Sequence, residues 1–280
     1  MPLVQTTPYN ISPLGGWDSP LSSAVYLGFT RYNTCGCPNS MSQALGGHIV
    51  DGGTKVFWAD NNGDRIWVAP LLTPYDGSSL SMVGVWDLAM GGIDNGAFGI
   101  RVKPDGSRFF VAGTQNDSIY QFDTATDFSA VGATHTGTRT AQDGENVRNL
   151  DVRPDGKKMW IIDSAAISIH EYDLSTAWDI STAAFTGKSA IPGATHSSFN
   201  GGRFRPDGTM FYGLSGGNKR LYKYLLSTPW DIDTLSYSGE QLILGTGSGE
   251  TANDVDWNPD GTRMEIFSNA GFRSYSVPLP

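Results

Sequence analysis

Short runs in which apolar and polar positions alternate recur along this chain. Ile100 and Val102 flank Arg101, Leu150 and Val152 flank Asp151, and Val255 and Trp257 flank Asp256. A period of two marks a β-strand whose two faces meet different surroundings. After each run comes a turn, then an apolar run (108–112, 159–163), then another (119–123, 169–173), then a more polar one (183–187, 235–239). The pattern predicts a four-stranded unit, strands A to D, used repeatedly.

The turn after strand A carries the clearest repeat. KPDGSRFF begins at Lys103, RPDGKKMW at Arg153, RPDGTMFY at Arg205 and NPDGTRME at Asn258, so the prolines Pro104, Pro154, Pro206 and Pro259 are spaced by 50, 52 and 53 residues. DGGTKVFW, from Asp51, is a degenerate fifth copy. In such a turn proline fixes φ, aspartate caps, and glycine takes the left-handed position. A second signature follows each copy. It is clearest in YDLSTAWDISTAAFTG (172–187) and YLLSTPWDIDTLSYSG (224–239), and weaker in FDTATDFSAVGATHTG (122–137) and APLLTPYDGSSLSMVG (69–84). Trp178-Asp179 and Trp230-Asp231 read as turn locks, tryptophan packing and aspartate capping.

Sheets of this kind leave two faces and two edges open, and radial stacking covers both faces and protects the edges. A period near fifty residues lies in the propeller range. A linear solenoid would need capping repeats at both ends. Here the repeat is split instead: 252–279 supplies strands A to C of a last unit, and 21–29, after Trp17-Asp18, supplies its strand D. The expected fold is all-β, a five-bladed β-propeller of four antiparallel strands per blade, closed by an N-terminal strand D joining C-terminal strands A to C. Residues 1–16 form a tail, and 17–280 form a single propeller, with blades near 40–84, 95–137, 145–187, 198–239 and 252–280 plus 17–29.

Composition narrows the function. The net charge of −9 repels nucleic-acid phosphates. No apolar run is long enough to span a membrane as a helix, and the start MPLVQTTPYN lacks the pattern of a secretory signal. Cys35 and Cys37, separated by one residue, would make a strained disulfide and an incomplete zinc site, so loop thiols are expected, with an intermolecular bond as the alternative.

The Pro-Asp-Gly-Thr and Tyr-Asp-Leu-Ser-Thr-x-Trp-Asp copies resemble a propeller repeat of bacteriophage structural proteins and bacterial surface proteins, over essentially residues 17–280. The resemblance implies a virion protein (tail, fibre or capsid decoration) or a glycan-binding surface module. Its partners would be other virion proteins or a host cell-surface glycan, within a homo-oligomer or larger assembly. The first copy departs from the pattern at Asp51-Gly52-Gly53 and Tyr75-Asp76, which implies altered loops.

Strand A lines the axis of a propeller, so equivalent positions form rings. Three residues before the turn proline the ring reads His48, Arg101, Asp151, Arg203 and Asp256; five before, Gly46, Gly99, Asn149, Gly201 and Asp254. These residues are either a polar axial pocket, with arginines offered to an anionic or hydroxyl-rich ligand, or a self-satisfied set of ion pairs, the favoured reading. The D–A and B–C loops share one rim, and there Tyr32, Asn33, Trp86, Asp94, Glu145, His196, Phe199, Asn200 and Glu250 are candidate sugar contacts.

Other motifs carry less. Gly213-Leu214-Ser215-Gly216-Gly217 has the spacing of a nucleophile elbow but falls in a hairpin. The glycine-rich stretch 245–249 has no βαβ unit around it. Asp60, Asn62 and Asp64 offer calcium-type oxygens without the distal glutamate, so a hairpin is expected there, with no cofactor. The functional expectation is a non-enzymatic virion recognition protein. The alternatives are a glycan hydrolase using axial carboxylates and a secreted lectin at the cell surface.

Overall fold

The computed structural model describes residues 16–31, 44–61, 63–81, 86–90, 93, 94, 96–141, 146–190, 198–245, 247 and 249–279, with the backbone alone at 44, 86 and 87. Five antiparallel four-stranded sheets stand around one axis. The first blade is β2 (Ala44–Val50), β3 (Lys55–Asp60), β4 (Arg65–Pro70) and β5 (Trp86–Ala89). The second is β6 (Ala97–Val102), β7 (Arg108–Gly113), β8 (Ser118–Asp123) and β9 (Thr134–Thr140). The third is β10 (Val147–Val152), β11 (Lys158–Asp163), β12 (Ser168–Leu174) and β13 (Ala183–Ala190). The fourth is β14 (Gly201–Phe204), β15 (Met210–Ser215), β16 (Arg220–Leu226) and β17 (Leu235–Ile243). The fifth combines β18 (Ala252–Trp257), β19 (Arg263–Ser268) and β20 (Gly271–Ser276) with β1 (Val25–Arg31).

The fold is therefore the five-bladed β-propeller that the repeat predicts. Its two chain ends meet in one sheet, where β1 runs antiparallel to β20 from Val25 opposite Ser276 to Arg31 opposite Gly271. The closing strand begins later than the expected residue 21, because Leu21–Ser23 forms a short 3₁₀ turn. Ile180–Thr182 and Ile232–Thr234 form the same turn in the third and fourth blades. The outer strand of the first blade likewise lies beyond the expected limit of 84, at Trp86–Ala89.

The turn chemistry is that of the motif. Gly106, Gly156, Gly208 and Gly261 have φ between 72° and 76°. Asp105 Oδ1 accepts from Ser107 N at 3.0 Å, and Asp155 Oδ1 from Lys157 N at 2.9 Å. The aromatic of the second signature sits on this glycine. Trp178 N donates to Gly156 O at 2.9 Å, and a Cβ at Gly156 would lie 2.0 Å from Trp178 Cδ1. Phe128 and Trp230 repeat the contact at Gly106 and Gly208. Asp179 Oδ1 then accepts from Ser181 N at 3.0 Å, so the turn lock is as read.

Among the described residues an apolar cluster lies between each two neighbouring blades, five in all, which closes the circle. Phe57, Ile66 and Val68 meet Ile100, Phe109 and Val111 between blades one and two. Phe267 and Phe272 meet Trp58 and Trp67 between blades five and one. Since both faces of every sheet are covered, β3, β7 and β11 are buried almost throughout. The outer strands β9, β13 and β17 alternate between exposed and half-buried positions.

Candidate functional site

The innermost strand of each blade has one ladder partner, so its other edge turns unpaired N–H groups toward the axis. These must find acceptors or pay a desolvation penalty. Side chains of the neighbouring inner strand supply them. Asp151 Oδ2 accepts from Phe204 N at 2.8 Å, Asp256 Oδ2 from Ile49 N at 2.6 Å, Asp254 Oδ2 from Gly47 N at 3.2 Å and His48 Nδ1 from Val102 N at 2.9 Å. Four of the predicted axial residues are thus rivets between blades.

Two arginines knit the carboxylates together. Arg203 spans Asp151 Oδ1 at 3.2 Å and Asp256 Oδ1 at 2.7 Å. Arg101, 2% exposed, reaches across the axis: Nε donates to Asp151 Oδ1 at 3.2 Å, Nη1 to Asp254 Oδ2 at 3.0 Å, and Nη2 to Gly202 O at 3.2 Å. The self-satisfied reading of the ring holds for these contacts. Two guanidiniums face three carboxylates, Asp254 included. Burial pushes Asp151 and Asp256 up to about 7 against the pull of Arg101 and of backbone N–H donors. Burial and the charge of Arg101 hold His48 down at about 3, so its imidazole is neutral at physiological pH. For Arg101 burial acts in the other direction, but Asp254 and Asp151 outweigh it and raise its pKa.

The glycines of the second ring explain which end of the axis is narrow. A Cβ at Gly46 would lie 2.4 Å from Phe98 O, and one at Gly201 2.4 Å from Asn253 O. Inner strands approach this closely only without side chains there. Asn149 and Asp254, both fully buried, fill the remaining space at that depth.

Beyond this plug the axis widens into a cavity of about 280 Å³ on the face that carries the Pro-Asp-Gly turns. His48, Arg101, Asp151, Arg203 and Asp256 all line it, and Asn149 and Asp254 do not. Its wall repeats around the ring: the turn residues Asp51, Pro104, Pro154, Pro206 and Pro259, and above them the aromatics Trp17, Tyr75, Phe128, Trp178 and Trp230. The aromatics belong to the turn lock, which sequence reasoning set aside as purely structural. Their common place one turn outside the axial ring was the signal available. Trp257, the apolar neighbour of Asp256 in the alternating run, is also in the lining.

The D–A and B–C rim lies at the opposite face, and there the candidates separate. Phe199 is fully buried against Phe211, so it is core and no exposed sugar platform. Asn200 lines a second, polar cavity of about 460 Å³, but its Nδ2 is spent on Ala252 O and Asn253 Oδ1, both at 3.2 Å. Asp94 is buried and accepts from Asn116 N and Tyr120 Oη, both at 3.1 Å, while Glu250 is buried on Arg273. Both are structural acids. Trp86 falls in β5 with only its backbone described; Tyr32, Asn33, Cys35, Cys37, Asn62, Glu145 and His196 lie outside the described residues.

Asp60 closes its own hairpin, accepting from Gly63 N at 3.3 Å and Trp67 Nε1 at 3.2 Å. Among the described residues no group of three or more His, Cys, Asp or Glu could hold a metal ion. Ser215, of the elbow-like motif, is buried and accepts from Asn218 N at 3.4 Å within its hairpin.

No family model matches this chain, and no curated protein sequence matches it. Solved structures share the fold. A candidate 6-phosphogluconolactonase from Bacteroides uniformis aligns with a TM-score of 0.50 and 15% identity, over 78% of this chain and 61% of that one. A second, from Bacteroides fragilis, gives 0.47 and 15%, over 74% and 58%. Hydrazine synthase from Kuenenia stuttgartiensis gives 0.49 and 14%, over 82% and 57%. The chain thus spans about three-fifths of these proteins' length, and at such identities the likeness is one of fold alone. None of the three bears the name of a virion protein, so the phage resemblance stands on the repeat motifs.

Proposed function

We propose that this chain is a non-enzymatic recognition module that receives a group of its partner in the axial cavity of the turn face. The observation that carries this reading is the state of the axial carboxylates. Asp151 and Asp256 each hold a backbone N–H of another blade and share Arg203. A carboxylate acting as acid or nucleophile must reach the substrate, and these are committed to the architecture. In the fuller form of the proposal the module sits in a bacteriophage particle, as tail, fibre or capsid decoration, and meets a host-surface glycan or a neighbouring virion protein. The repeat motifs support that setting.

One observation favours the hydrolase alternative: carboxyls held near 7 are in the range of a general acid. A glycan array run beside a polysaccharide depolymerisation assay decides between them. Binding without release of reducing ends is the expected result, and turnover abolished by Asp256→Asn in a folded protein would overturn the proposal. Co-purification with capsid or tail proteins tests the setting.

A further inference from the structure

The ring is not wholly self-satisfied. Arg203 Nε and Trp257 Nε1 are buried donors with no acceptor among the described residues, and both residues line the turn-face cavity. His48 adds a third donor. Its Nδ1 accepts from Val102 N, so the neutral ring carries its proton on Nε2, on a half-buried side chain that lines the cavity. Buried donors left unpaired are few in folded proteins, and each calls for an oxygen to meet it.

The three donors come from blades one, four and five, which are consecutive around the closed ring, and so form one side of the cavity. Opposite, blades two and three present Arg101 and Asp151 at the level of the axial ring, and Val102, Pro104, Val152 and Pro154 beside them. The cavity therefore has a hydrogen-bonding floor, the axial ring, and an apolar wall of turn prolines and aromatics. Acceptors are present too: Asp256 receives Arg203 Nη2, Ile49 N and Trp257 N, which leaves about one of its four lone-pair sites open.

Three further properties restrict the ligand. The charged and titratable groups in the lining are His48, Asp51, Tyr75, Arg101, Asp151, Arg203 and Asp256, three carboxylic acids against two guanidiniums, with Asp254 behind them; an anion is not favoured. A volume of about 280 Å³ is at the low end for ligand cavities and admits one sugar ring. The axis is closed behind Arg101, and the two axial cavities share no lining residue. A chain cannot thread through, so only an end can enter.

Resting on the reading of this cavity as the recognition site, we infer that it takes a neutral, terminal or branch pyranose unit of a glycan, whose hydroxyls accept from His48, Arg203 and Trp257 and whose C–H face lies against the apolar wall. A hydroxyl both accepts and donates, which matches a side carrying unpaired donors beside a carboxylate with a free lone pair. A pyranose also has the polar edge and apolar face that this floor and wall require.

The test titrates the full chain with methyl pyranosides of glucose, galactose, mannose and N-acetylglucosamine by ligand-observed NMR, beside the methyl glycosides of glucuronic and galacturonic acid. At least one neutral glycoside should bind, with the uronides weaker, and an oligosaccharide carrying the same unit only internally should not compete. Trp257→Phe, which keeps an aromatic ring and removes the N–H, should weaken binding roughly three- to tenfold. Val152→Phe, which fills the cavity, should abolish it. Uronides binding as well as neutral sugars, or no pyranoside binding, would overturn the inference. Binding lost in Val152→Phe but unchanged in Trp257→Phe would overturn the donor assignment and leave the cavity as the site. Sugar binding indifferent to both variants would move recognition elsewhere and end the underlying reading as well. The comparison of neutral, acidic and internal sugars uses only the unmodified chain, so it holds whatever the variants do to folding.

Discussion

Replacing Arg101 by methionine tests whether the axis is held by charge. The new side chain is similar in length and apolar. It leaves Asp254 without its two guanidinium contacts, Asp151 without Nε, and the carbonyls of Gly47, Ile100 and Gly202 without their donors. Removing one member of a buried ionic set costs about 3–5 kcal/mol, because the stranded charges stay buried. Unfolding entropy near 2.1 cal/mol/K per residue gives roughly 0.6 kcal/mol/K for this chain, so the midpoint should fall by about 5–8 °C. The loss should be larger at pH 8 than at pH 5, since the stranded carboxyls, already raised by burial, can be neutralised by protons at the lower pH. Arg101→Met combined with Asp254→Asn should recover part of the loss, because the second change removes the charge the first one stranded. Differential scanning calorimetry of the wild type, both single variants and the double variant at the two pH values makes the measurement. A fall under about 2 °C at pH 8, or a double variant no better than Arg101→Met, would refute the account of the axis as a coupled charge network.

Three further outcomes follow from the same geometry. Burial holds Asp151, Asp256 and Glu265 near 7 instead of 3.8 or 4.5, so their contribution is complete below pH 4 and is lost as pH rises through 7. His48, held at about 3 instead of 6.5, acts oppositely and loses its contribution as pH falls through 3. With three groups against one, the urea midpoint should be higher at pH 5 than at pH 8, and a midpoint rising steadily over that interval would contradict the assignment. Gly156→Ala puts a Cβ at φ +74° and 2.0 Å from Trp178, and should cost about 2–4 kcal/mol; Gly187→Ala, at φ +84° with nothing within 4 Å, should cost only about 1–2 kcal/mol, and equal Tm losses would show that the aromatic seat adds nothing. Truncation through Arg31 removes β1 together with Trp17 and Leu21, each 1% exposed, for at least about 3 kcal/mol of lost burial, and a peptide of residues 16–31 added in trans should restore cooperative unfolding; full stability without that segment would sink the closure.

The fold was legible because each blade repeats its own punctuation. Gly106, Gly156, Gly208 and Gly261 take the same backbone angle, and an aromatic of the next signature seats on three of them at least, so spacing alone counted the blades. The axial ring was legible for the same reason: residues at one offset from a common turn must share one depth. What spacing does not carry is which end of the axis stays open. That depends on how closely the inner strands approach at Gly46 and Gly201, a property of backbone distances rather than of residue types. Lacking it, the reading kept the axial pocket and the loop rim side by side, and on the rim Phe199 is core and Asn200 is already satisfied. The turn aromatics were read as locks alone: Trp178 is a lock because its ring covers Gly156, and the same position brings it to the wall of the cavity. A residue that closes a turn at the inner end of every blade cannot avoid facing the axis. In a closed ring the structural and the functional reading of one repeat position are therefore compatible. The axial side chains follow the same logic, for Arg203 spends both terminal nitrogens on holding blades together, while its Nε is buried with no partner among the described residues.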